Sequence, residues 1–338
     1  MQDRKLCFND ILLTPQYSKL DSRTTPDIST TIGNIKLSTP IISAPMDSIT
    51  DEEMVVCMDK LGCLGILSRY INIDPDEELG RQIRKIQSAK NRGTTNVGCA
   101  IGIKNDDITL RTRCLLKAGC NVLCIDVAHG DHEKMYTAID SVRKLKNEFE
   151  FVLMAGNVCT PEATIRFARH GVDAIKVGIG PGAVCTTRIT TGFGCPQMSA
   201  ILECASAVKE IYPRVAIIAD GGIRNSGDMV KCLWGGANAC MIGYLLAGTS
   251  STPKINGRMV YRGMSCRMAS GRPDIAPEGI EIEVADQGQT EEVVGEYIKG
   301  IRSGLAMGGA ENLDQLRSNV KHVVVSQLSL SETMPKDS

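Results

Sequence analysis

A chain of 338 residues with 43% hydrophobic side chains can bury a large core, and the 4% aromatic share makes that core aliphatic and sulfur-rich. A net charge of −1 offers no electrostatic footprint for nucleic acid or a membrane surface, so any basic group that matters acts locally. The charged start MQDRKLCFND is no signal peptide, no apolar run reaches the ~18 residues of a membrane helix, and fourteen cysteines without a CxxC pair read as reduced thiols of a cytoplasmic protein rather than a zinc site.

In chain order, a strand-like run at 40–44 precedes a helical pattern near 51–61. The alternation continues with runs at 64–67, 96–101, 121–126, 151–155, 174–179, 215–219 and 239–245. Helical patterns near 75–90, 107–118, 132–147, 161–170, 197–210 and 226–235 separate them. Lys117-Ala118-Gly119, His170-Gly171 and Gly235-Gly236-Ala237-Asn238 stop helices just before the next strand, which is C-cap chemistry. Strands alternating with helices predict parallel βαβ units, and eight of them close into a (β/α)₈ barrel, an α/β single domain over 1–338. A doubly wound open sheet is the alternative. Residues 250–288, carrying Gly257, Gly263, Gly271, Pro273, Pro277 and Gly279, read as a loop-like, mobile flap within that domain, and 290–308 returns to a helical pattern.

The run GIGPGAVCTTR at 178–188 follows the sixth apolar segment. Gly178, Gly180, Gly182 and Pro181 cannot continue a strand and exclude a regular helix, leaving an open loop whose backbone can approach a ligand. Cys185, Thr186 and Thr187 place a thiol and two hydroxyls on it. A thiol so exposed is a candidate nucleophile, against the alternative of a small buried residue. The other loops after strands also carry polar or glycine motifs, as barrel enzymes require. These are Pro45-Met46-Asp47, Asp126-Val127-Ala128, Gly156-Asn157, Asp220-Gly221-Gly222 and Gly243-Tyr244.

Gly-Ile-Gly-Pro-Gly-x-x-Cys-Thr-Thr-Arg, with Thr191-Gly192-Phe193-Gly194 and Pro196-Gln197 behind it, resembles the catalytic loop of the IMP dehydrogenase/GMP reductase family. Phe8-Asn9-Asp10-Ile11-Leu12-Leu13, Pro45-Met46-Asp47, Asp126-Val127-Ala128, Ala155-Gly156-Asn157-Val158, Ala219-Asp220-Gly221-Gly222, Tyr261-Arg262-Gly263-Met264 and Pro277-Glu278-Gly279 extend the likeness along nearly the whole chain. In that family a cysteine attacks C2 of a 6-oxopurine nucleotide, and a nicotinamide exchanges hydride with the same carbon. The resemblance implies Cys185 as nucleophile, Thr187 as proton relay and Glu278 as acid/base. It implies Asp220 for a ribose diol, with Gly221, Gly222, Gly243, Tyr244, Gly263, Met264 and Ser265 around the nucleotide GMP or IMP. Asp126, Val127, Ala128, Gly178 and Gly180 would meet the dinucleotide, and Ser22 with Arg23 the 2′-phosphate of NADPH. Carbonyls of Gly180, Gly182 and Cys185 resemble a potassium site, and the family suggests a homotetramer.

Three departures bear on the member. Ala183 stands where the family usually has serine, and bulky Tyr244 follows Gly243, so Tyr244 is expected to supply the missing phosphate hydroxyl. No regulatory modules fit between Tyr70 and Asn96, and Arg272 lacks the adjacent tyrosine that dehydrogenases use to activate water. Tyr261-Arg262-Gly263-Met264 and Pro277-Glu278-Gly279-Ile280-Glu281 look dehydrogenase-like instead. The expectation drawn is a GMP reductase, GMP plus NADPH giving IMP and ammonia. The alternatives are an IMP dehydrogenase lacking regulatory modules, or a family member acting on an unusual purine nucleotide.

Overall fold

The computed structural model describes residues 4–69, 74–103, 107–271, 274, 276–326 and 329. Tyr70, Arg272 and Pro273, which entered the sequence reading, lie outside them. Eight parallel strands close a barrel: Ile41–Ser43, Leu64–Leu67, Gly98–Ile101, Val122–Asp126, Val152–Val158, Ala174–Val177, Ala216–Asp220 and Ala239–Ile242, each hydrogen-bonded to the next and the last to the first. The seven expected helices lie between them, from Glu52–Lys60 to Ser226–Trp234. Five of them start after side-chain caps legible in the sequence: Asp51, Asp74, Asp107, Thr160 and Asn225 each accept a backbone N–H of the first turn.

Two cores follow from strand alternation. Ile42, Leu64, Ile66, Ala100, Val122, Cys124, Val152, Met154, Ala174, Ala216, Ile218, Ala239 and Met241 point inward and fill the lumen. Ile41, Leu67, Leu123, Ile125, Leu153, Ile175, Val177 and Ile217 point outward and pack against the helices. Burial pushes the thiols of Cys63, Cys120, Cys124 and Cys204 up to about 12, so these cysteines are core packing, and all fourteen are free.

Three antiparallel pairs lay outside the sequence reading. Thr30–Ile32 and Ile35–Leu37 form a hairpin whose Ile32, Ile35 and Leu37 join the lumen cluster and plug the barrel's closed end. Ile11–Thr14 pairs with Lys321–Val324. Within 250–288 the loop reading is corrected, because Val260–Arg262 pairs with Glu281–Glu283 and a short helix spans Arg267–Ser270. The run 178–188 is corrected at its end as well. A five-residue helix, Thr187–Thr191, starts beyond the last glycine, where nothing opposes helical backbone.

Candidate active site

Inward parity carries chemistry to the open end. Above the lumen's apolar layers the next inward positions are Asp126, Gly156, Lys176, Asp220 and Gly243, four of them at or beside expected site positions. Gly178 ends the sixth strand with φ +152°, and a Cβ there would sit 2.0 Å from the Asp220 carbonyl oxygen, so only glycine lets the chain turn into the catalytic loop. Two amides clamp that turn. Asn157 Nδ2 donates to the Gly178 carbonyl (2.7 Å) and to Asp220 Oδ2 (2.9 Å), and buried Gln197 donates to the carbonyls of Val177 (2.8 Å) and Asp220 (3.1 Å).

The catalytic loop is joined to the flap as extended backbone. Cys185 opposes Gly279 in an antiparallel bridge, Thr186 N–H donates to Glu278 O (2.9 Å), and Ile280 N–H donates to Val184 O (3.0 Å). On its other edge Glu278 N–H donates to Ser265 O (3.1 Å) and Gly263 N–H to Ile280 O (3.2 Å). That register brings three side chains together that are separated by up to 93 positions. The Cys185 thiol donates to Thr187 Oγ1 (3.2 Å), and the Thr187 hydroxyl donates to Glu278 Oε2 (2.6 Å). Thr187, at the middle of this line, is 8% exposed, while Cys185 and Glu278 at its ends are partly open. Arg262 anchors the flap from below, donating to Asp47 Oδ1 (3.0 Å) and Glu281 Oε2 (3.2 Å), and Met264 Sδ lies 3.4 Å from the Asp47 nitrogen.

The other expected residues divide. Gly221 and Gly222 lie against Pro181 of the catalytic loop. Val127 N–H donates to Gly156 O (3.0 Å) and the Val127 carbonyl accepts from Asn157 N–H (2.8 Å), seating Asp126-Val127-Ala128 beside the fifth strand's end. The carbonyl of Gly182 accepts the Cys185 N–H (3.1 Å), while no backbone N–H among the described residues reaches those of Gly180 and Cys185. Ser22 and Arg23 are not brought to this constellation. The segment around them is tied to the C-terminal helices by Gln16 N–H to Met307 O (3.0 Å) and Asp27 N–H to Glu311 O (2.8 Å), and Ser22 engages its own turn through Thr24 and Thr25.

Tyr244 stands half open beside Gly243. Its ring is 47% exposed and stacks edge-on against Tyr261 at 5.4 Å, with no hydrogen bond from its hydroxyl among the described residues. The hydroxyl that reaches Gly243 belongs to Tyr261, 2.9 Å from where a Gly243 Cβ would stand. Tyr261 is 5% exposed, and burial, reinforced by the Asp220 carboxylate, raises its phenol so that it stays a donor. The sequence showed the motif around Tyr261 and not the place of its hydroxyl. Sequence reasoning missed Lys176 altogether, whose ammonium contacts Asp126 and lies 3.1 Å from Asp220 Oδ2.

The three side chains in line, Cys185, Thr187 and Glu278, come from two of the motifs that carry the resemblance. The model of the IMP dehydrogenase / GMP reductase domain matches residues 5–336. The chain belongs to this family. It is therefore an oxidoreductase of that family, built on the (β/α)₈ barrel. It is 34% identical over 387 residues to an inosine-5′-monophosphate dehydrogenase of Cryptosporidium parvum, covering 98% of this chain and 95% of that protein. It is 36% identical over 341 residues to one of Staphylococcus saprophyticus (94% and 69%), and 28% over 472 residues to one of Nitrosopumilus maritimus (98% and 98%). These names overturn the reductase expectation. That expectation rested on a missing insert and a missing flap pair, neither of which touches hydride chemistry at C2. The flap motifs Tyr261-Arg262-Gly263-Met264 and Pro277-Glu278-Gly279 carried the informative signal.

Proposed function

We propose that this chain oxidises IMP to XMP as a dehydrogenase without regulatory modules: IMP + NAD⁺ + H₂O → XMP + NADH + H⁺. The observation that carries it is the hydrogen-bonded line Cys185–Thr187–Glu278, closed by the flap register. Asp220 Oδ1 and Asp126 Oδ2 accept nothing from the described residues, so each leaves an acceptor for a ribose hydroxyl, on the nucleotide and the dinucleotide respectively. The Tyr261 hydroxyl and the N–H groups around Gly221, Gly222 and Gly243 suit the nucleotide phosphate. Bound nicotinamide supplies the hydride acceptor.

Attack by Cys185 Sγ forms an S–C2 bond and sends the thiol proton to the neighbouring purine nitrogen. C2 then gives up its hydride, which leaves on the cysteine a thioimidate still protonated at that nitrogen. With Sγ bonded to carbon, Thr187 Oγ1 loses the S–H it accepted and turns a lone pair toward C2. A water there gives its proton to Thr187 as Thr187 passes its own to Glu278; the resulting hydroxide adds to C2 and expels Sγ, which takes back the purine nitrogen's proton as the thiol, while Glu278 releases its proton to solvent. This relay replaces the absent Arg-Tyr pair as water activator. Carbonyls of Gly180 and Cys185, free of backbone N–H donors, suit a potassium ion that would order the loop, with Gly182 as the third. Exposed Ile189, Phe193 and Met268 near the catalytic loop support assembly into a homotetramer, and free cysteines support a cytoplasmic setting.

The test is the absorbance of reduced nicotinamide. IMP with NAD⁺ should generate it. Consumption of NADPH with GMP, and no reaction with IMP, would refute the proposal.

A further inference from the structure

Lys176 is a lysine inside a barrel. Its side chain is 3% exposed, and its strand neighbours face the apolar lumen or the helix layer. A charge so placed is tolerated only when neutralised. In register, Asp126 pairs with Gly156 and Gly156 with Lys176, so the three stand in one row across adjacent strands. Gly156 has no side chain, and a Cβ there would lie 2.4 Å from the Lys176 Cβ. Through that gap the ammonium reaches over the intervening strand to Asp126. On its other side it lies 3.1 Å from Asp220 Oδ2, on the adjacent strand. Burial alone would lower the lysine's pKa, but Asp126 and then Asp220 more than reverse this, and the ammonium stays protonated.

The two carboxylates are the ones assigned above to different ligands. Each spends one oxygen on the lysine and keeps the other free, and Asp220 Oδ2 takes Asn157 as a further donor. One cation thus aims two acceptors at two subsites. We propose that Lys176 is the shared counter-ion of the nucleotide and dinucleotide subsites, a positioning residue whose loss weakens both ligands together. This rests on the dehydrogenase reading and on Asp126 and Asp220 as the hydroxyl-binding carboxylates. Without the ammonium, two half-buried carboxylates would face each other across Gly156 and residue 176, and their repulsion would turn both away.

The experiment measures KM for IMP and for NAD⁺, and kcat, in six proteins whose folding is checked by thermal melting. They are the wild type, Asp126→Asn, Asp220→Asn, Lys176→Met, Lys176→Arg and the double variant Lys176→Met/Asp126→Asn. Asp126→Asn should raise KM for NAD⁺ alone, and Asp220→Asn that for IMP alone. Lys176→Met should raise both at least about tenfold, and Lys176→Arg should return both to within about threefold of wild type. The double variant removes the repelling charge, so it should recover IMP and not NAD⁺. If Lys176→Met fails to fold, the double variant and Lys176→Arg still decide. A Lys176→Met protein that loses only one ligand, an arginine variant that melts normally yet recovers neither, or a double variant that does not favour IMP overturns the inference. A wild type inactive with IMP and NAD⁺ overturns the functional reading instead.

Discussion

Replacing Glu278 by glutamine separates the two halves of the proposed reaction. Glu278 Oε2 accepts the Thr187 hydroxyl at 2.6 Å, a short contact of the charge-assisted kind. Glutamine keeps the shape and can still accept that hydroxyl, but it cannot take the proton. Formation of the thioimidate does not pass through the relay, because the thiol proton goes to the purine. Hydrolysis does. General base catalysis contributes ~10²–10⁴-fold, or about 2.7–5.4 kcal/mol of barrier. Stopped-flow mixing of Glu278→Gln with IMP and NAD⁺ should therefore show a burst of NADH close to one per active site, at a rate within about fivefold of wild type. A steady state slowed ~10²–10⁴-fold should follow. Thr187→Val should reproduce the pattern. Equal loss of burst and steady state would show that Glu278 only holds the flap to the catalytic loop, and the relay would be refuted.

Cys185→Ser should abolish turnover while IMP binding by equilibrium dialysis stays within about tenfold, since a hydroxyl is a far weaker nucleophile than a thiolate; retained turnover excludes Cys185 as nucleophile. Tyr261→Phe removes a buried donor from the proposed phosphate pocket and should weaken IMP binding ~10–100-fold, whereas Tyr244→Phe should change it less than about threefold; the reverse order would restore Tyr244 to the pocket. The Arg166 guanidinium, bonded to Asp131, holds that carboxyl below its ordinary 3.8. A carboxyl lowered in the folded state stabilises above the unfolded value and loses that contribution as pH falls through the folded one. Asp131→Asn should thus lower Tm by ~1–2 °C at neutral pH, with the difference closing below pH ~3.8 in acid melts.

The barrel was legible because its signal is local and repeated. Each strand is a short apolar run, and most of the helices are bounded by a cap such as Asp51, Thr160 or Asn225 and a glycine stop such as Gly62, Gly171 or Gly235. The open loop around Cys185 was legible because Gly178, Pro181 and Gly182 forbid regular structure just before it. What escaped depends on distant pairing. Ile11–Thr14 meets Lys321–Val324 from the other end of the chain, and no local pattern announces it. The flap strands Val260–Arg262 and Glu281–Glu283 are three residues each, too short to show a period amid glycine and proline. Lys176 looked like an ordinary interruption of an apolar run. Its parity with Ala174 was the available clue, since that parity points into the lumen. The Tyr261 hydroxyl beside Gly243 escaped for the same reason, since the flap that carries it there is close only in the fold.

The central claim is a covalent purine intermediate on Cys185 formed in the oxidising direction. Rapid acid quenching during turnover with IMP and NAD⁺, followed by intact-protein and peptide mass spectrometry, tests it most directly. The account predicts one added nucleotide per chain, on the peptide containing Cys185. It should accumulate further in Glu278→Gln and be absent when NAD⁺ is omitted or Cys185 is replaced. No adduct in that variant during turnover, or an adduct on another of the fourteen cysteines, would contradict the account.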